Sequence, residues 1–330
     1  MKKIIVIFCA AALAVPYVTT LAWGKAVGRW ESDYSGGAGE RDAEAPEREK
    51  TAGKAPGEKK EIHGPRVVLD RETGAGEEFE TLDLEEYLIA LVAGQIPADY
   101  ELEAMKAQAI LARTYVLREM GDQAEIYESA LDVDCPAEET LTAADYRKAA
   151  RAVEETKGVA ASWNGALMEP LFHRVSAGKT RDGGEERPFL RSVECGDDWK
   201  SPDYMKEFSW TREELAPALN AFIAGKGGQA VPPENLPAAI QVAERDEAGY
   251  VLRVQVGGVS CSGEELQYAL GLPSCSFQLG EDSGRITCRV KGSGHGYGFD
   301  QFGANEKAKA GWTAAELLAF YFENIVLISE

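Results

Sequence analysis

The stretch at residues 92–118, VAGQIPADYELEAMKAQAILARTYVLR, sets Gln95 just ahead of a helix that carries two cations on its apolar side. A glutamine has the shape and the hydrogen-bonding atoms of a glutamate, but it has no proton to exchange, so Gln95 can bind and cannot act as a general acid. At about 100° per residue, Leu102, Met105, Ala109, Ile110, Val116 and Leu117 share one arc of the following helix, and Lys106 and Arg113 fall inside it. An unpaired buried cation is costly. Either each cation pairs with a core carboxylate or caps carbonyls, or this face borders a cleft where the two bind an anionic or oxygen-rich ligand.

Two further stretches carry chemistry. In LFHRVSAGKTRDGG, residues 171–184, His173 ends an apolar alternation and Ser176 follows in a turn. A Ser–His pair suits nucleophilic catalysis, yet no G-x-S-x-G elbow is present and no acid stands ready to orient the histidine, so a structural histidine is the simpler reading. In KGSGHGYGFDQFGANEKAKAGW, residues 291–312, Gly292, Gly294, Gly296 and Gly298 alternate around His295, and Gln301 follows on a helix. There is no G-K-[ST] ending and no G-x-G-x-x-G spacing. The loop suits either close approach to a neutral polar ligand or a tight structural corner.

The elements that must position these residues can be read from periodicity and caps. Residues 66–70 and 79–82 read as strands, and a helix over 82–94 is capped by Asp83 and stopped by Gly94 and Pro97. The helix bearing Lys106 and Arg113 spans 102–118, and another spans 143–155. Residues 158–176 read as a hairpin turned at Asn164-Gly165. After a looser stretch come a helix near 212–224, strands at 240–243 and 250–256, and a helix to Leu270 opened by a Ser262/Glu265 capping box. Strands at 277–279 and 286–290 lead into the glycine-rich loop, and helices at 301–310 and 313–322 end the chain. Strands and helices do not alternate strictly, so the fold class is α+β, mixed helices and short antiparallel strands forming a cleft, rather than a doubly wound parallel sheet.

The rest of the chain bounds the function class. The formal net charge of -20 argues against general nucleic-acid binding. Lys2 and Lys3 precede an uncharged apolar run over 4–23, whose length of about 30 Å as a helix matches a bilayer core. Residues 1–24 are therefore expected to form a retained membrane anchor, a cleaved signal peptide being the alternative, with the later residues outside the cytoplasm. Residues 25–62, rich in Gly, Ala, Glu and Lys without apolar period, read as a disordered stalk, leaving 63–330 as the folded domain. Beyond Cys9 there are Cys135, Cys195, Cys261, Cys275 and Cys288, with no C-x-x-C pair, and three histidines, His63, His173 and His295; a structural zinc site has little support.

Together the three stretches resemble the stage II sporulation protein D (SpoIID/LytB) family. Its first signature, V-A-x-E-M-P with a following E-A-L-K-A-Q-A-x-A-A-R-T-Y helix, stands here as VAGQIPADYELEAMKAQAILARTY. Its H-x-x-S-G-G-x-T pattern stands as HRVSAGKT followed by PFLRSVEC, and its G-x-G-H-G-x-G-x-S-Q-x-G-A pattern as GSGHGYGFDQFGA, with GWTAAELLAFYF closing. The resemblance implies a single-pass membrane protein that remodels peptidoglycan during forespore engulfment, its domain lying between mother cell and forespore. It implies a lytic transglycosylase acting on glycan strands whose stem peptides a partner sporulation amidase has removed, with an endopeptidase and membrane scaffold proteins as further partners. In that chemistry one carboxylic acid protonates the glycosidic oxygen and then, as carboxylate, takes the proton of the sugar's own C6 hydroxyl. Gln95 stands at the position of the family's glutamate, so either a nearby Glu101 or Glu103 serves or the chain is a glycan-binding pseudoenzyme that recruits or stimulates an amidase. The resemblance places Lys106, Gln108, Arg113, His173, Ser176, His295 and Gln301 around the substrate, with the two cations facing the lactyl carboxylate of muramic acid. Ala177 replaces a glycine of the pattern and Asp300 a serine. Some relatives hold zinc through a Cys/His cluster between the second and third helices; only Cys135 is present there, so no metal and no cofactor is expected.

Overall fold

A computed structural model describes residues 64–73 and 76–329; the expected anchor over 1–24 and stalk over 25–62 lie outside the described residues. Among the described residues no helix is long and apolar enough to cross a membrane. Strands β1 (Arg66–Thr73) and β2 (Gly76–Asp83) form an antiparallel pair, and β3 (Glu125–Tyr127) adds in parallel to β1. Between β2 and β3 run α1 (Leu84–Gln95) and α2 (Leu102–Met120). Asp83 caps α1 through the N–H of Glu85 at 2.9 Å, as its residue type predicts. Helix α1 runs one residue past Gly94, so Gln95 is its last residue rather than part of the turn.

Helix α2 is the axis of the first core. It buries residues on almost every side, from Ala104 to Met120, against α1, α3 (Ala143–Glu155), strand β4 (Val159–Trp163) and the C-terminal helices. A helix covered this way shows little apolar stripe, because every face meets protein. Strand β4 turns at Asn164 and Gly165, both with positive φ, into β5 (Ala166–Leu167), as the Asn-Gly pair predicts.

A second core is inserted between the second and third motifs. Chain enters it at β7 (Met205–Trp210) after the short β6 (Phe172–His173), and continues through α4 (Arg212–Gly225), β8 (Gln241–Arg245), β9 (Val251–Val256), β10 (Val259–Cys261) and α5 (Gly263–Leu270). It leaves by β11 (Phe277–Asp282) and β12 (Arg285–Lys291). Two antiparallel sheets, β10-β9-β8 and β11-β12-β7, enclose Leu219, Tyr250, Val254, Leu266, Phe277 and Ile286. Entry and exit lie side by side: Lys291 pairs with Met205, and the N–H of Gly292 donates to the carbonyl of Tyr204 at 2.8 Å. The chain therefore enters and leaves the lobe of residues 205–291 at one place, and the segments on either side of it meet directly.

They meet as β6 and β13 (Phe299–Asp300), a parallel pair with Asp300 opposite His173. Helices α6 (Gln301–Lys309) and α7 (Ala314–Tyr321) follow, and β14 (Val326–Ser329) closes on β4. The strands are thus not all antiparallel as expected: β1–β3 and β6–β13 are parallel, and both pairs join segments linked by long crossovers, which is what parallel pairing requires.

Candidate functional site

Gln95 is held by two other glutamines. Its backbone carbonyl accepts from Nε2 of Gln301 at 2.8 Å, and since a carbonyl only accepts, this settles which end of the Gln301 amide is which. The same Nε2 donates to Oε1 of Gln108 at 3.1 Å, so Gln108 must turn its Nε2 toward the side chain of Gln95, where it donates to Oε1 at 2.8 Å. Gln108 and Gln301 are buried and Gln95 is half-buried. The relay therefore presents Gln95 with one oxygen bonded inward and its amide nitrogen without a protein partner among the described residues. A carboxylate oxygen would satisfy the same inward bond.

The backbone around this relay is pinned. The N–H of Glu101, at the start of α2, donates to Oδ1 of Asn305 on α6 at 2.7 Å, which caps α2 from a neighbouring helix. Nζ of Lys148 donates to the carbonyls of Ala98, at 2.8 Å, and Tyr100. Gly94 is required because a Cβ there would lie 2.5 Å from Cδ of Pro136.

The two cations separate. Arg113 is wholly buried, and its five N–H groups are all engaged: Nε and Nη2 with the Glu85 carboxylate at 2.8 and 2.6 Å, and the rest with Thr156 and the carbonyls of Val153 and Val159. The structure thus puts Arg113 in the core, paired with a carboxylate, and leaves it no donor for a ligand. Lys106 keeps some exposure and bridges Glu103 at 2.8 Å and Glu155 at 3.3 Å. Neither glutamate near Gln95 is poised as a replacement acid. Glu103 holds Lys106 with one oxygen and the N–H of Ala314, in the first turn of α7, with the other. Glu101 is exposed.

His173 and His295 come together, ring centroids 5.8 Å apart, through Tyr297. The Tyr297 carbonyl accepts from Nδ1 of His173 at 3.0 Å, and its N–H donates to Nδ1 of His295 at 3.0 Å. Each contact selects a tautomer: His173 carries its proton on Nδ1 and His295 on Nε2. Burial, then the charge of His295, brings His173 down to about 3; burial, then Arg181, brings His295 down to about 4, so both rings are neutral near pH 7. Nε2 of His173 is buried and has no hydrogen-bond partner among the described residues. Ser176 is not aimed at either histidine; its hydroxyl donates to Oδ2 of Asp198. No Ser–His nucleophile exists here.

The alternating glycines are a structural corner. Each has positive φ, and a Cβ would strike protein at every one: Val175 and Ser176 from Gly292, His173 from Gly294, the Tyr250 ring at 2.3 Å from Gly296, and the Leu171 carbonyl at 2.2 Å from Gly298. Tyr250 belongs to the inserted lobe, and its hydroxyl accepts from the N–H of Ala177 at 2.9 Å. Arg181 locks the same junction, bonding Asp246 and Glu264 of the lobe at 2.7 Å each and the His295 carbonyl at 3.2 Å. Sequence reasoning passed over Arg181 and Asn305, whose roles rest on partners far along the chain. It also passed over a buried set of Cys195, Asp198 and Asp300, although Asp300 in place of a serine was a visible signal. Burial, then the Asp300 charge, pushes Asp198 up to about 9, and burial raises Asp300 as well. The five cysteines of the described residues are all free thiols.

The site so built has a recognisable lineage. The sequence model of a family described as "Stage II sporulation protein" matches residues 72–163, which contain Gln95, Gln108 and their helices. Stage II sporulation protein D of Bacillus subtilis is 28% identical over 269 residues, covering 76% of this chain and 75% of that protein. Its counterpart in Bacillus amyloliquefaciens is 27% identical over 270 residues, covering 74% of each. A Bacillus subtilis protein named amidase enhancer is 24% identical over 291 residues, 73% of this chain and 40% of its own length. The matched domain and the two relatives aligned over about three quarters of their length agree: residues 72–163 carry a stage II sporulation protein domain, and the chain is similar to stage II sporulation protein D over most of its described residues.

Proposed function

We propose that this protein remodels the cell wall during sporulation by binding peptide-free glycan strands of peptidoglycan at Gln95. One observation carries the reading. The Gln108–Gln301 relay holds the Gln95 amide with its nitrogen unpaired, a neutral donor suited to a sugar oxygen. A transglycosylase needs an acid at that point, and no carboxylate bonds to the Gln95 side chain among the described residues. As it stands the chain is a binder of strands that recruits or stimulates a wall amidase, in keeping with the relative named amidase enhancer. A second reading, a working lytic transglycosylase, is favoured by the relay itself, which would hold a carboxylate as well as an amide. Lys2, Lys3 and the apolar run after them support anchoring in the cell membrane with the domain outside the cytoplasm, where scaffold proteins and an amidase would meet it.

Co-sedimentation with wall material tests the binding. Strands stripped of stem peptides by an amidase should carry down more protein than untreated wall. Gln301→Ala breaks the relay and should weaken that binding about tenfold, the worth of roughly one hydrogen bond. Equal binding by the variant, or no preference for stripped strands, contradicts the proposal.

A further inference from the structure

Cys195 and Asp198, three residues apart in one turn, and Asp300, about a hundred residues later, end with one ligand atom each within 4.8 Å of one another, all buried. Asp198 lies in a short helical turn after Cys195, and Asp300 is the N-cap of α6, its Oδ1 accepting from the N–H of Gly303 at 3.2 Å. Three oxygens here have no hydrogen-bond partner among the described residues: Oδ1 of Asp198, Oδ2 of Asp300 and the hydroxyl of Tyr321, which is itself completely buried. They surround one spot. A Cβ on Gly303 would sit 2.6 Å from Asp300 Oδ2, 2.8 Å from the Tyr321 hydroxyl and 3.2 Å from Asp198 Oδ1, so the three oxygens converge beside Gly303 and only glycine lets them come that close.

Buried polar atoms are nearly always satisfied, and three orphans facing each other need a shared partner. A proton between the two carboxyls would serve those two groups and leave the Tyr321 hydroxyl without a partner. A cation would engage all of them. Two carboxylates with a thiolate suit a borderline-soft divalent ion, which takes sulfur at about 2.3 Å and oxygen at about 2.0–2.2 Å. The Cys195 thiol, which now faces the carbonyl of Val193 at 3.7 Å, would give up its proton to solvent on binding.

We propose that Cys195, Asp198 and Asp300, with the Tyr321 hydroxyl beside them, form a buried site for one divalent cation of the zinc class. The ion would tie the start of α6 to the turn after Cys195. Gln301 is the next residue after Asp300, so the ion would also steady the Gln301 amide that holds Gln95. The site is separate from the Cys135 region. It stands whether or not the protein binds glycan.

The experiment is elemental analysis of the full chain, produced without a metal-binding tag and refolded with excess zinc before extensive dialysis. The expected result is about one zinc per chain, with a higher thermal midpoint than the same protein refolded with chelator. Asp300→Ser, which restores the residue of the family pattern and should fold, is expected to hold less than about a tenth of that zinc. Cys288→Ser, which alters another buried thiol in the inserted lobe, should keep it. Cobalt in place of zinc should give a thiolate charge-transfer band that Cys195→Ser abolishes. Zinc-free wild-type protein with an unchanged thermal midpoint overturns the proposal, and so does full zinc occupancy in Asp300→Ser.

Discussion

The two lobes handle buried polar groups in opposite ways. In the inserted lobe, buried Ser274 and Ser276 donate to the carbonyls of Lys291 and Gly249, and no side chain of 205–291 holds a buried polar atom without a partner among the described residues. Its ion pairs are on the surface, as between Arg289 and Glu207. The first lobe buries Arg113 against a partly exposed Glu85 and leaves orphaned atoms on Arg66 and Tyr87 and on His173, Asp198, Asp300 and Tyr321, the last four near the third motif. A lobe that serves mainly as scaffold can satisfy every rule of burial. One that presents a site departs from those rules where the site lies. Tyr250 and Arg181 show what the scaffold does: they brace the glycine corner that carries His295.

Stability measurements can break this contrast, and the largest effect should come from the first lobe. Arg113→Ala strands the Glu85 carboxylate and several carbonyls, and should cost about 3–5 kcal/mol in urea unfolding. A loss under about 1 kcal/mol would mean that the pair is not the core element described.

A smaller effect should follow pH. His295 is neutral in the fold with its value lowered from 6.5 to about 4, while the unfolded chain binds a proton below about 6.5. Its contribution is therefore present above pH 6.5 and lost as pH falls toward 4, by up to about 1.4 kcal/mol per pH unit. His173, lowered to about 3, adds an equal share over the same window, so His295→Gln should take away its own share of the slope between pH 6.5 and 5 and leave that of His173. The inserted lobe contains no histidine, so an unchanged slope in the variant would place the acid sensitivity elsewhere.

Much of this could be read from the chain. Caps at Asp83 and Ser262, the Asn164-Gly165 turn and the helix periods at 102–118 and 143–155 are local signals, and they located their elements to within a residue or two at most ends. The second core could not be read, because its first strand, Met205–Trp210, pairs with Arg285–Lys291 across the whole lobe and carries no turn signal that announces this. The candidate site divided the same way. Gln95, Gln108 and Gln301 were nameable by type and pattern, but their hydrogen-bonded relay depends on α6 returning to α1. Arg113 was misplaced toward a ligand because helical periodicity gives a face and not its neighbour: Glu85 lies on another helix.

The smallest effect should be on the inserted lobe's surface. Arg289→Ala removes an exposed pair with Glu207 and should change stability by less than about 0.5 kcal/mol. A larger loss would mean that the lobe, too, depends on its charges.

The most direct measurement is a digestion of amidase-stripped glycan strands by the domain, followed by mass spectrometry for 1,6-anhydro sugars, with Gln95→Glu run beside the natural chain. Since the relay accepts a carboxylate in place of the amide, the variant should fold with unchanged stability. The natural chain should bind strands and release no anhydro product, and Gln95→Glu should release it at a rate about 10²–10⁴-fold higher, the usual worth of a general acid–base group. Anhydro product from the natural chain at the variant's rate would contradict this account.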